Sequence, residues 1–298
     1  MRALHLRLPA TSANLGPGFD SLALALMLYL YVDAYPQERV TVEATGRNAE
    51  ICGALENNLL LESYRNLLAS QNREFVPLRL EVRNEIPLGM GLGSSAAVRL
   101  AAVALASHFG GLGWSHDQIL TQASRLEGHP DNAAASLLGG VVASAFEGDE
   151  GRAISSRPPR DWHAVFVMPD QPLATGASRG MLPATYARKD VVANLQRVAL
   201  LTAAFATGRA DFVATAMADR LHQPYRAEAC PLMPRLLPLA GRGGISGVAL
   251  SGAGPAVLLL TISEEAASDA RNIAARELEE AGKIEFLTCR LENKAITF

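Results

Sequence analysis

Pro87–Phe109 reads PLGMGLGSSAAVRLAAVALASHF. Gly89, Gly91 and Gly93 leave the backbone uncovered, so its N–H groups can come close to a ligand. The Ala-rich run that follows predicts a helix from about Ser95 to Phe109, ended by Gly110-Gly111. A helix start presents unpaired N–H groups and the positive end of its dipole. Together these features suit an anion such as phosphate; a glycine-rich turn that only starts a helix is the plainer alternative. The spacing G-x-G-x-G is not the G-x-G-x-x-G of dinucleotide folds, and no lysine follows as in a Walker loop. Without that lysine, polyphosphate charge must be met by backbone dipoles and a metal ion. The hydroxyls of Ser94 and Ser95 can cap the helix or ligate Mg²⁺, which takes few protein oxygens and completes its shell with phosphate and water.

A carboxylate is then expected nearby. A second helix should follow Ser115, where Ser115 and Gln118 form a capping-box pattern, and it should close at Glu127 before Gly128. An acid at a helix C-terminus opposes the dipole, at a cost of a few tenths to about 1 kcal/mol. Metal binding would account for it; so would a solvated side chain at a frayed end. In EGHPDNAAASLLGG (127–140), His129, Asp131 and Asn132 crowd beside Glu127. Asp131 alone reads as an N-cap and His129 as a loop histidine. A short helix should start near Asp131 and stop at Gly139-Gly140.

The 298 residues allow one large domain or two ordinary ones, and 49% hydrophobic with 19% charged residues suffices for a normal core. A net charge of −3 argues against nucleic-acid and membrane-surface partners. Cys52, Cys230 and Cys289 are scattered, with neither disulfide nor zinc spacing. The N-terminus has no apolar signal core and no apolar run reaches membrane-spanning length, so a soluble cytoplasmic protein is expected.

Strands are predicted at 4–8, 39–45, 78–83 and 141–146, the third alternating perfectly through Leu78-Arg79-Leu80-Glu81-Val82-Arg83. The polar stretch 147–162 is the best candidate boundary, dividing the chain into 1–155 and 156–298. Beyond it come a strand (HAVFVM), helices at about 190–207 and 209–222, two strands joined by SGAGP (251–255), a helix over 264–282 and a last strand (IEFLTCRL). That β-α-β-β-α-β order is the ferredoxin-like split unit. The fold class is α+β in two domains rather than a doubly wound sheet.

PLGMGLGSSAA resembles the central motif of the GHMP kinases. PATSANLGPGFDSLALAL (9–26), EGHPDNAAASLLGG, SRGMLP (178–183), DRLHQPYR (219–226) and SGAGP are similar to segments of the homoserine kinases within that family, and occur in family order along the whole chain. The resemblance implies a ribosomal S5 domain 2-like N-terminal domain and a ferredoxin-like C-terminal one. It also implies phosphoryl transfer from ATP to the hydroxyl of L-homoserine, in threonine biosynthesis. Pro87, Gly89, Gly91, Leu92, Gly93, Ser94, Ser95 and Ala96 would form the ATP loop, and Ser95 with Glu127 would hold Mg²⁺. Asn58 falls where the family meets adenine, or is a turn or cap asparagine. Asn14 and Asn132 would lie near the reacting hydroxyl, with Arg179 assigned beside them. The zwitterionic substrate wants a guanidinium fork for its carboxylate, which Arg179 and Arg226 match. Its ammonium wants Asp20 or Asp131, and His129 would line the pocket. Asn14 and Asp20 also suit plain turn chemistry around Gly16-Pro17-Gly18.

Asn132 stands where some relatives carry an aspartate base. A loose phosphoryl-transfer transition state needs little base catalysis, so no side chain is assigned as base. The alternatives are a mevalonate-pathway or sugar kinase of the same family, or a catalytically silent nucleotide- or amino-acid-binding regulator on the same fold. Family analogy is the one indication of assembly, a homodimer.

Overall fold

The computed structural model describes residues 2–172 and 175–297. Two sheets organise them. In the first, β1 (Leu4–Asn14) and β2 (Gly18–Pro36) form a long antiparallel hairpin with Leu8 opposite Leu30. The remaining strands are β3 (Thr41–Gly46), β4 (Leu78–Asn84), β5 (Val141–Glu147) and β6 (Glu150–Ser156), in the order β3-β4-β2-β5-β6 with β1 also on β2. β4 shows the alternation its sequence carries: Leu78, Leu80 and Val82 are buried while Arg83 is exposed. No alternation marks the middle of β2, because Leu22 to Leu26 are buried on both faces.

The longer helices on this sheet are α1 (Leu59–Ser70), α2 (Ser94–Phe109), α3 (His116–Glu127) and α4 (Asp131–Leu138), with a single turn at Ala49–Gly53 against β3 and β4. α2 is apolar almost all round and correspondingly central, packing on β1, β2, α1, α3 and α4. The Ser115–Gln118 capping box of α3 is formed in both directions, and Gly128 ends the helix in the left-handed conformation.

The second sheet contains β7 (His163–Pro169), β8 (Ile245–Leu250), β9 (Val257–Thr261) and β10 (Ile284–Arg290), in the order β10-β7-β9-β8 with every pair antiparallel. With α5 (Arg188–Thr207) and α6 (Glu264–Glu277) it forms the expected ferredoxin-like unit, and the class is α+β. Its strands β7, β8 and β9 are buried on both faces, and β10 is the more exposed edge. Phe166 and Leu258 join Leu24 and Leu291 in a core continuous with the first sheet. Val165, Val167 and Leu259 point the other way, onto Ala270 and Ala274 of α6.

Three expectations need correction. The polar stretch 147–162 is not all connector: Gly148-Asp149 turn a hairpin, with Glu147 opposite Glu150, and β6 pairs back along β5. Residues 209–222 are not one helix. Only Ala210–Phe212 and Val213–Ala216 are helical there. The Asp219 carboxylate then accepts the backbone N–H groups of Leu221, His222 and Gln223, starting a new short helix at Gln223–Arg226. α6 stops at Glu277, five residues early, where the Leu278 N–H closes on the carbonyls of Ala274 and Ala275. Among the described residues, no helix is long and apolar enough to cross a membrane.

Candidate active site

The end of β1, the 87–93 loop, the start of α2, the α3–α4 junction, Arg179, Arg226 and the 251–255 loop all line one cavity. Every candidate site residue except Asn58 lines it. The loop is held by close backbone contacts. The Thr11 N–H donates to the Leu92 carbonyl, Ser251 Oγ donates to the Gly91 carbonyl at 2.7 Å, and the Gly252 N–H donates to the Ala13 carbonyl. Gly93, not a serine, is the N-cap of α2, at φ +70°, and no side chain caps this end. The expected serine cap is therefore absent, and the first-turn N–H groups stay available to a ligand.

Ser95 instead turns its hydroxyl away from the backbone and donates to Glu127 Oε1 at 2.7 Å. Arg99, one helical turn further along α2, donates to the same oxygen at 2.9 Å. Two oxygen donors therefore meet at the open end of a helix, the donor set that Mg²⁺ takes. Arg99 was not among the candidates; its i+4 spacing from Ser95 is the signal that places it on the same face.

His129 Nδ1 lies 2.6 Å from Asp131 Oδ1, and its Nε2 lies 4.0 Å from Glu127 Oε2. Burial opposes charge on this imidazole. The Asp131 hydrogen bond and the charges of Asp131, Asp20 and Glu127 outweigh it, so the pKa is raised. Asp20, His129 and Asp131 each bring a polar atom to within 4.8 Å of the others. Thr11 Oγ1 donates to Asn132 Oδ1 at 2.6 Å, which fixes the amide. Asn14 is engaged at both ends: its Oδ1 accepts the Asp20 N–H, and its Nδ2 donates to the Gly252 carbonyl. It clamps the β1–β2 turn to the 251–255 loop.

The two arginines differ. Arg179 makes a two-pronged pair with Asp20, at 2.9 and 2.7 Å. Arg226 is 1% exposed, and among the described residues no carboxylate lies within ion-pair distance of it. Burial and the nearby Arg179 charge lower its pKa. A buried guanidinium held by neutral groups is costly unless an anion arrives to meet it.

Asn58 is not brought to the cavity. It caps α1, accepting the N–H groups of Leu60 and Leu61, and donates to the carbonyls of Cys52 and Ala54. Asn58→Ala is expected to cost about 1–3 kcal/mol of stability in urea unfolding, from a lost cap and two stranded carbonyls. Nucleotide affinity should stay within twofold, and a larger loss would restore a direct contact.

Two family models match this chain: GHMP kinases N terminal domain over residues 58–140, and GHMP kinases C terminal over residues 201–280. A homoserine kinase of Solibacter usitatus is 45% identical over 86% of this chain and 84% of its own length. One from Moorella thermoacetica is 39% identical over 85% and 86%. The crystal structure of homoserine kinase from Cytophaga hutchinsonii superposes with a TM-score of 0.84 at 24% identity, covering 100% of this chain and 97% of that one. A putative homoserine kinase from Listeria monocytogenes gives 0.78 at 27% identity, over 99% and 98%.

Proposed function

This chain belongs to the homoserine kinase family of GHMP kinases, and from that premise we propose that it phosphorylates the hydroxyl of L-homoserine with Mg-ATP, giving O-phospho-L-homoserine and ADP. The observation that carries the substrate is Arg226, a buried cation with no carboxylate within ion-pair distance among the described residues, lining the same cavity as the uncapped end of α2.

The loop from Pro87 to Ala96 wraps the phosphates, with the α2 N–H groups aimed at them. Ser95 and Glu127 are the residues that would hold Mg²⁺, which supplies charge neutralisation of the phosphates when bound. Arg226 takes the substrate carboxylate. Asp20 and Arg179 now satisfy each other. A zwitterion offers that pair the same two charges in complementary order, so one internal ion pair opens into two ligand contacts. Asp20 and Asp131 give the ammonium an anionic surrounding, and His129 lines the pocket beside them. Asn132 accepts Thr11 at its Oδ1 and makes one long contact of 3.5 Å from Nδ2 to Asp131 Oδ1, so the second Nδ2 hydrogen can orient the hydroxyl. Asp131 Oδ1 is occupied by His129 and by the Asn132 N–H at 2.7 Å. A loose transition state lets the reaction run on positioning and charge, without a side-chain base.

The test is ADP release with L-homoserine, mevalonate, galactose and no acceptor. Turnover with homoserine alone is expected. Turnover with another acceptor would keep the family and sink the substrate, whereas ATP binding without turnover would favour a silent regulator. A parallel Asp131→Asn variant tests the absent base: lost turnover at unchanged homoserine affinity would overturn it.

A further inference from the structure

His222 lies wholly outside the phosphate loop and is fully buried, yet it makes the shortest hydrogen bond to the Arg226 guanidinium. Its Nδ1 is 3.0 Å from Arg226 Nη1, and its Nε2 is 2.7 Å from the Gly16 carbonyl. The other polar contacts of the guanidinium are long, 3.4 Å to the Ser178 carbonyl and 3.4 Å to the Gly252 carbonyl. A carbonyl can only accept, so Nε2 carries a proton. A guanidinium can only donate, so Nδ1 is bare. The neutral Nε2–H tautomer alone satisfies both neighbours; the imidazolium would set two donors head to head.

We infer that His222 is a positioning residue that fixes the Arg226 guanidinium for the substrate carboxylate, acting through its unprotonated Nδ1. This rests on the proposal that Arg226 holds that carboxylate.

The surroundings fit the role. Phe19 stacks on the imidazole with ring centroids 5.4 Å apart, and the Arg226 guanidinium lies 5.4 Å from the centroid of the same ring, so one aromatic ring touches both groups. Asp219 Oδ2 is 3.7 Å from His222 Nε2. That carboxylate already accepts three backbone N–H groups and the Asn194 amide, so it anchors the segment without needing a proton on His222. Burial, with the Arg226 charge, outweighs Asp219 and lowers the His222 pKa. Gly16 sits so close to Met217 that a Cβ would fall 1.9 Å from the Met217 carbonyl oxygen. The imidazole therefore spans a fixed gap between the β1–β2 turn and the arginine.

The experiment uses two amides that divide the imidazole. The Asn amide reaches about the Nδ1 position and the Gln amide about the Nε2 position. His222→Gln keeps the Gly16 contact and loses the acceptor for Arg226. It is expected to raise KM for L-homoserine about tenfold, with kcat and KM for ATP within about twofold. His222→Asn supplies an acceptor to Arg226 and should recover most of that loss, although each variant gives up one hydrogen bond and their thermal midpoints should fall alike. KM tracking the thermal midpoint equally in both would overturn the inference. Arg226→Ala is the reference. If it raises KM for homoserine while His222→Gln does not, the inference alone fails; if it leaves KM unchanged, the substrate reading fails and takes the inference with it. Should a variant not fold, ¹⁵N shifts of His222 in the wild-type enzyme decide: a protonated Nε2 and bare Nδ1 support the inference, and an imidazolium or the other tautomer overturns it.

Discussion

Glu127→Gln is expected to lower kcat/KM for phosphoryl transfer by about 10²–10³-fold. The substitution keeps the shape of the side chain and removes its charge. It strips a formal negative charge from an oxygen that both Ser95 and Arg99 contact. A neutral amide oxygen is a poorer ligand for a hard cation, and Arg99 is left without its carboxylate at a site that must gather phosphates. Raising Mg²⁺ should recover part of the loss, and a Mg²⁺ titration of ATP binding should shift in parallel. Stability should fall by about 1–3 kcal/mol, because a mostly buried carboxylate loses its charge-assisted bonds to Ser95 and Arg99 while the relieved opposition to the α3 dipole returns less than about 1 kcal/mol. An unchanged kcat/KM would remove Glu127 from the site. A loss matched by collapse of the thermal midpoint would make it a structural residue instead.

Glu127 illustrates which parts of the site could be read from the chain. It stood out because its local context was wrong for it: an acid closing a helix. The glycine loop and the α2 start were legible for the same reason, since backbone exposure and helix initiation are properties of neighbouring residues. Arg99 was within reach, one helical turn from Ser95. The pairing of Arg179 with Asp20 was not, because 159 residues separate them and only the fold brings the charges together. It changes the chemistry, since two groups expected to wait for a ligand neutralise each other. His222 was hidden in the same way: its role depends on Gly16, 206 positions away, and on Arg226 one turn on.

The fold follows a similar division. Strands with one wet face, such as β4, show their alternation. β2 and β9 are buried on both faces, and an apolar run then says little about its own register. The β5–β6 hairpin carried a usable signal in its two-residue Gly148-Asp149 turn, masked by the polarity of an exposed edge. The broken segment at 209–222 has helical composition throughout. Beyond Ala216 one carboxylate, Asp219, takes three backbone N–H groups and starts a new short helix, an effect of side-chain geometry rather than propensity.

Gly91→Ala is expected to cost about 3 kcal/mol of stability and at least about 10² in nucleotide affinity. At φ +79°, a side chain at this position strains the backbone by about 1–2 kcal/mol before any contact is counted. A Cβ would then stand 2.2 Å from the Ser251 carbonyl oxygen and 2.9 Å from that of Gly254. Both obstacles are backbone, so no rotamer change relieves them, and the two glycine-bearing loops must part. Parting them breaks the Ser251 Oγ to Gly91 carbonyl bond and moves the loop away from the cavity it lines. Gly113→Ala is the matched control. It also has a positive φ, +60°, but its Cβ would meet nothing within 4 Å, so it carries the backbone strain alone. Urea unfolding should separate the two variants by the cost of the clash, and ATP titration should show a loss for Gly91→Ala only. Equal losses of stability with nucleotide affinity intact in both would mean that Gly91 answers only to its backbone angle. Its contact with the 251–255 loop would then have no part in shaping the phosphate cradle.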